Sequence, residues 1–143
     1  MSILDKQKEL IKKFENLTDW EEKYTLIIQF GKQMPAFPEE LKVDKNKIEG
    51  CQSQVWINAK LIDGKVIFSA DSDAMIVKGL IAILIDVYSN QTPNDILSSP
   101  PDFLKTIGID NHLSPTRKNG LGAMLKQIQL FAFAFKSLSK NQG

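Results

Sequence analysis

Two amphipathic helices are predicted at the start of the chain, because apolar residues recur there at helical spacing among Lys, Glu and Gln. The apolar face of the first helix consists of Ile3, Leu10, Ile11, Phe14 and Leu17. The second helix opens at a capping box formed by Thr18 and Glu21. Its apolar face consists of Trp20, Tyr24, Ile27, Ile28 and Phe30. Pro35 and Pro38 end this helix and leave residues 34–46 as a connection.

Three strands are predicted next, from alternating apolar and polar positions. Residues 47–49 form a short candidate strand that ends at Gly50, and residues 54–62 and 65–70 form two longer ones. The Asp63-Gly64 pair between the longer strands is a strong signal for a two-residue hairpin turn. We therefore expect a small antiparallel sheet.

Helices are predicted over the rest of the chain. Residues 76–87 are apolar around most of the helix circumference, which indicates a buried central helix, and residues 71–73 offer N-caps for it. Residues 90–101 are rich in turn formers, and a short helix is expected around 103–107. Ser114-Pro115 opens the last helix as an N-cap followed by proline at the first helical position.

The predicted order is helix, helix, three strands, helix, short helix, helix. Strands grouped between helices indicate an α+β fold, in which helices pack on one face of a small three-stranded antiparallel sheet. At 143 residues the chain is expected to form one domain, residues 1–143.

The charge balance narrows the functional classes. Eighteen basic residues face 17 acidic ones, for a net charge of +1, which argues against a nucleic-acid partner and against electrostatic membrane binding. The longest apolar runs, 80–85 and 130–135, are too short to span a bilayer. Asp5, Lys6 and Lys8 leave no room for the apolar core of a signal peptide. We therefore expect a cytoplasmic protein.

Three residues are the sole representatives of their types: Cys51, His112 and Arg117. One cysteine forms no internal disulfide, and one cysteine with one histidine cannot make a four-ligand zinc site. Lysine supplies all the other basic side chains, so Arg117 marks either a place that needs a planar multi-donor fork or an ordinary surface position.

Cys51 is the candidate reactive group. Gly50 before it allows a left-handed backbone, which places the thiol at the tip of a loop where another protein can reach it. The alternative is a buried cysteine that serves as a small hydrophobic residue. Its polar neighbours Glu49, Gln52 and Ser53 weaken that alternative.

Several motifs carry a resemblance to a known family. They are Gly-Cys-Gln-Ser-Gln-Val-Trp at 50–56, Asp-Ser-Asp-Ala at 71–74 followed by Ile-Val-Lys-Gly-Leu at 76–80, Leu-Ser-Pro-Thr-Arg at 113–117 with Gly-Leu at 120–121, and Thr-Asp-Trp-Glu-Glu-Lys-Tyr at 18–24. In these motifs and their order the chain resembles the SufE family of sulfur-acceptor proteins over nearly its whole length.

The resemblance implies a fold shared with IscU-type scaffold proteins and a role in sulfur transfer. Members accept sulfur from the persulfide of a PLP-dependent cysteine desulfurase, SufS or its relative CsdA, and stimulate that enzyme. They pass the sulfur to the scaffold complex SufBCD for iron–sulfur cluster assembly. The acceptor maps onto Cys51, with no metal or cofactor held by the chain itself. The resemblance also implies that the chain acts as a partner of the desulfurase and not as a free-standing enzyme. It is expected to be a monomer or a weak dimer.

Five polar residues are candidates for supporting the Cys51 loop or the docking of a partner. Arg117 is expected to form part of the docking surface, with Asp73 as its counter-charge or as a helix N-cap. Gln52 and Gln54 either hydrogen-bond the loop or are plain polar neighbours. His112 is either a cation that favours the thiolate or a solvated loop residue. We also expect a resting pocket for the cysteine, lined by the third helix and Trp56.

Two other functions remain open from the residues alone. In one, the chain is an independent enzyme with Cys51 as nucleophile and His112 as base. In the other, it is a non-catalytic interaction module in which the thiol is inert.

Overall fold

The computed structural model describes residues 1–142, apart from the side chains of Asp110 and residues 139–142. Six α-helices and a two-stranded sheet form its framework in this part of the chain. The elements are α1 (Ile3–Glu15), α2 (Trp20–Lys32), β1 (Val55–Ile62), β2 (Lys65–Ser72), α3 (Met75–Tyr88), α4 (Pro93–Leu97), α5 (Phe103–Thr106) and α6 (Pro115–Gln142). The α+β class predicted from the sequence is confirmed.

Side-chain caps fix the start of the first two helices. Ser2 and Asp5 form a reciprocal capping box at α1. At α2 the N-cap is Asp19, whose Oδ1 accepts from the backbone N–H of Glu22 at 2.8 Å. The predicted cap at Thr18 was therefore wrong by one residue, because the carboxylate of Asp19 takes the role that the hydroxyl was expected to fill.

The sheet contains two strands, and the predicted three-stranded sheet was wrong. Lys47 makes one isolated bridge with Trp56, and the backbone N–H of Ile48 donates to the carbonyl of Val55 at 2.8 Å. The pairing stops there because the chain turns at Glu49 and at Gly50, which has a φ of +90°. Residues 47–49 therefore follow β1 only briefly and form no strand.

The hairpin itself has the predicted geometry. Val55 lies opposite Ser72 at one end of the ladder and Ile62 lies opposite Lys65 at the other. Asp63 and Gly64 have φ values of 52° and 79°, as a type I′ turn requires at both central positions.

Four α-helices, not three, follow the hairpin in the described chain, so the predicted order was wrong here too. The extra helix is α4, which lies in the stretch predicted to consist of turns. Thr92 caps it by accepting from the N–H of Asp95 at 3.2 Å, and Pro93 occupies its first turn. A Thr-Pro pair that was interpreted as a turn signal therefore starts a helix.

Helix α3 forms the centre of the core. Ile81, Ile83, Leu84 and Val87 have no exposed surface. The helix packs against α2, β2, α1 and α6. Because α3 is covered on several sides, its two ends are fixed in space, and its N-terminal end meets the cysteine loop. None of the helices in the described residues is both long and apolar enough to cross a membrane.

Candidate functional site

A cleft of about 610 Å³ lies beside the only cysteine of the chain. Three segments line it: the loop at 51–53, the N-terminal part of α3 between residues 74 and 80, and the first turns of α6 between 114 and 124. Apolar side chains of α3 and α6 form part of its wall, and Gln52 and Arg117 add polar groups.

The Cys51 side chain rests against α6. It is half-buried, and its Sγ lies 3.6 Å from the backbone carbonyl oxygen of Gly120, to which the thiol donates. A Cβ at position 120 would lie 3.5 Å from Sγ, an ordinary van der Waals distance, so the thiol lies directly against this turn of α6. An S–H group is a weak donor, and this contact therefore holds the loop only lightly.

Burial controls the protonation of the thiol. Desolvation raises the pKa of Cys51 above its ordinary value, because the thiolate is less well solvated than in water. The thiolate is the nucleophilic form. The resting position therefore keeps the sulfur protonated and less reactive at neutral pH.

The downstream end of the cysteine loop is fixed by a set of backbone hydrogen bonds at Gln54. Oδ1 of Asp73 accepts from the N–H of Gln54 at 3.0 Å, and the N–H of Asp73 donates to the Gln54 carbonyl at 3.3 Å. The hydroxyl of Ser72 donates to the same carbonyl at 2.8 Å. Gln54 thus contributes its backbone to the site, while its side chain is exposed.

Asp73 acts on the loop and not on the helix or on Arg117. The N-cap of α3 is Ala74, with no side-chain cap. Within the described part of the chain, no ion pair joins Asp73 to Arg117. Its carboxylate instead accepts from Gln54, so the structure places it at the base of the cysteine loop.

Arg117 lies at the cleft in the first turn of α6 and is exposed. Its backbone N–H donates to Oγ of Ser114 at 3.3 Å, which fixes the start of the helix as the Ser-Pro pair predicted. The guanidinium can therefore reach a partner that approaches Cys51.

His112 and Trp56 lie away from the cleft lining. The ring of His112 stacks on Trp20, with 4.1 Å between centroids and 24° between planes. The hydroxyl of Tyr24 donates to the His112 backbone carbonyl at 3.3 Å. Trp56 is buried, and Nζ of Lys42 lies 5.6 Å from its ring centroid. Neither side chain lines the cleft beside Cys51.

Several cleft residues were not identified from the sequence. Met75, which is 59% exposed, and the buried Met124 both line the cleft, as do Ser53 and Thr116. Met75 precedes the predicted central helix and Met124 lies inside the predicted last helix, and only the packing of α3 against α6 brings them together. No local pattern in the sequence indicates that contact.

Three comparisons relate the chain to known proteins. The family model described as "SufE: Fe-S metabolism associated domain" matches residues 8–132. An uncharacterized SufE-like protein of Synechocystis sp. is 40% identical over 127 residues, which cover 89% of this chain and 80% of that protein. A solution structure of a hypothetical protein from Thermus thermophilus has a TM-score of 0.75 at 24% identity, over 94% of this chain and 96% of the other. At that identity the structural match shows the fold alone.

Proposed function

The chain belongs to the SufE family and acts in Fe–S metabolism as a sulfur-transfer protein, and we propose that Cys51 is the residue that carries the sulfur. The donor is the persulfide of a PLP-dependent cysteine desulfurase of the SufS or CsdA type. The recipient is a scaffold complex of the SufBCD type. The chain also stimulates the desulfurase, works in the cytoplasm and is a monomer or a weak dimer.

The transfer step is a thiol exchange without net oxidation. The Cys51 thiolate attacks the terminal sulfur of the donor persulfide, and the bond between the two donor sulfurs breaks. A persulfide forms on Cys51, and the donor cysteine leaves as a thiolate. The proton of the Cys51 thiol goes to solvent or to a base of the partner before the attack. A second exchange onto the recipient returns Cys51 to the thiol.

The observation that carries the proposal is the position of Cys51 at a cleft formed by three separate segments. The thiol is half-buried and is held by one weak hydrogen bond to Gly120. A partner that lifts the loop removes this burial, and the pKa of the thiol then falls toward its ordinary value. Docking thus increases the fraction of Cys51 that is thiolate when the donor persulfide is present.

The position of His112 favours a carrier over an independent cysteine enzyme. A nucleophile–base pair needs the imidazole within hydrogen-bond reach of the thiol. His112 instead stacks on Trp20 and does not line the Cys51 cleft. The base that an independent cysteine enzyme would require is therefore not beside Cys51.

The test is the rate of a cysteine desulfurase with and without this protein. With excess dithiothreitol present to reduce the bound sulfur to sulfide, we expect the wild type to increase alanine and sulfide production from free cysteine, because Cys51 removes sulfur from the enzyme. Cys51→Ser should abolish the increase while keeping the same circular dichroism and melting temperature. Equal stimulation by wild type and Cys51→Ser would contradict the proposal.

A further inference from the structure

A carboxylate on the outer face of the hairpin is held by two lysines. Oδ2 of Asp71 lies 3.1 Å from Nζ of Lys42, and its Oδ1 lies 3.2 Å from Nζ of Lys78. The Asp71 side chain is only 16% exposed, compared with 84% for Glu39, which also pairs with Lys42. The three charges join the connection after α2, the end of β2 and the first turn of α3.

The charge arrangement around Asp71 favours the ionised carboxylate. Burial on its own would raise the pKa of Asp71. Hydrogen bonds from Lys42, from the Ser72 backbone N–H and from Lys78 outweigh burial and lower the pKa below its ordinary value. The group therefore stays charged at neutral pH and keeps both lysines.

Asp71 is directly joined to the residues that anchor the cysteine loop. Its Oδ1 accepts from the N–H of Ser72 at 2.8 Å. Ser72 and Asp73 then make all three hydrogen bonds that hold the backbone of Gln54, at 2.8, 3.0 and 3.3 Å. Gln54 lies three positions after Cys51 and ends the cysteine loop. The residues at the end of β2 therefore anchor the downstream end of this loop.

The upstream end of the loop is tied by one backbone hydrogen bond, from the N–H of Ile48 to the carbonyl of Val55 at 2.8 Å, and the residues after it have weaker contacts. The thiol makes its 3.6 Å hydrogen bond to Gly120, and Gly50 lies close to the side chain of Ala123. No ion pair involves residues 48–54 in the described structure. The downstream end, where three hydrogen bonds from residues 72 and 73 hold Gln54, is therefore the more heavily bonded of the two ends.

We propose that Asp71, clamped by Lys42 and Lys78, is a positioning residue that holds the Cys51 loop closed through Ser72, Asp73 and Gln54. The clamp touches neither Cys51 nor a sulfur donor. It sets how often the loop opens, and thereby how often the thiol is available. Its importance rests on the sulfur-carrier function proposed above, but its effect on the loop can be measured without any sulfur donor.

The test is the rate at which iodoacetamide alkylates Cys51 in the native protein. Asp71→Asn keeps the size of the side chain and an oxygen acceptor for Ser72, but removes the charge that both lysines bind. We expect alkylation about three- to tenfold faster than in wild type, as the loss of two partly buried pairs implies. The alkylation rate of Asp71→Asn should change little when low concentrations of urea are added, because opening of the loop alone exposes little surface.

Asp86→Asn is the matched control. It removes a lysine–carboxylate pair from α3, the helix that carries Lys78: the 3.7 Å contact of Asp86 with Lys6, at the end of the helix remote from the loop. We expect wild-type alkylation in this variant. Raising the salt concentration should accelerate alkylation of wild type and Asp86→Asn by screening the clamp, but not that of Asp71→Asn.

Two results would overturn the proposal. One is equal alkylation of wild type and Asp71→Asn, at matched thiol pKa. The other is an increase of the same size in Asp86→Asn, which would make the effect one of general stability. If Asp71→Asn does not fold, Lys78→Gln carries the test, since it removes one pair, keeps the carboxylate and should give a smaller increase of the same kind.

Discussion

Cys51 is protected at the expense of reactivity. Its thiol is half-buried against Gly120, and burial raises its pKa. A persulfide at this position would be shielded in the same way from the reducing thiols of a cytosol. Under the sulfur-carrier function proposed above, we expect the loop to present the sulfur only when a partner is bound.

The pH dependence of Cys51 alkylation tests whether burial raises the pKa of the thiol. Because the folded pKa is raised, native Cys51 should reach half-maximal alkylation at a higher pH than the urea-unfolded chain. The same shift makes the protonated thiol a stabilising group below the unfolded pKa, and this contribution is lost as the pH rises through the folded pKa. Rate profiles of native and unfolded protein provide both midpoints. A native midpoint at or below the unfolded one would show that burial does not control the thiol.

Arg117 provides a second prediction. Arg117→Lys keeps the charge but loses the planar fork, so we expect docking of the desulfurase to weaken by about fivefold, or ~1 kcal/mol. The concentration of this protein that gives half-maximal stimulation would rise while the melting temperature stays constant. Lys118→Gln is the control, because that side chain lies next in sequence but does not line the Cys51 cleft. Unchanged stimulation by Arg117→Lys would remove Arg117 from the docking surface.

Helices α2 and α3 meet at two glycines. A Cβ on Gly31 would lie 2.9 Å from the backbone nitrogen of Gly79, and one on Gly79 would collide with the backbone of Ile27. Neither glycine is needed for an unusual φ angle; each is needed for close approach. This contact sets the depth at which α3 lies in the core and hence the position of its N-terminal end at the cleft.

Gly79→Ala should therefore destabilise the protein by roughly 2–3 kcal/mol, the usual cost of forcing a methyl group into packed backbone. Gly122→Ala is the opposite case, since nothing lies within 4 Å of its Cβ position in α6. It should stabilise by about 1 kcal/mol through helix propensity. Urea unfolding of the two variants measures both changes. A neutral Gly79→Ala would mean that the two helices separate easily.

Local sequence chemistry predicted the elements better than their pairing. The Asp63-Gly64 turn and the Ser114-Pro115 helix start depend on neighbouring residues alone, and both are present. Whether residues 47–49 form a strand depends on how far they pair with β1. No local sequence pattern predicts the extent of that pairing. Thr92-Pro93 suits a turn and a helix start equally well, so only the fold decides between them.

The site could be predicted only in part for the same reason. Sequence motifs identified Cys51 as the candidate thiol. The contact of its sulfur with Gly120 spans 69 positions, and the cleft residues Met75 and Met124 meet only through helix packing. His112 was considered as a cation near the thiol, but its stacking on Trp20 is a tertiary contact that no sequence spacing indicated.

The molecule as a whole places a half-buried thiol at a cleft between packed elements. Helix α3 fixes one wall of the cleft, α6 fixes another, and the hairpin anchors the loop at Gln54. The net charge of +1 provides no strong long-range steering. We therefore expect recognition of the proposed partner to depend on the shape of the cleft and on local groups such as Arg117.

The most direct measurement is the intact mass of the protein after incubation with a cysteine desulfurase, PLP and free cysteine. The account predicts a species of wild type that is one sulfur atom heavier, returns to the original mass on reduction and maps to the peptide containing Cys51. Cys51→Ser should show no such species. Wild type that gains no sulfur from a fully active desulfurase, or a Cys51→Ser variant that gains as much, would contradict the account.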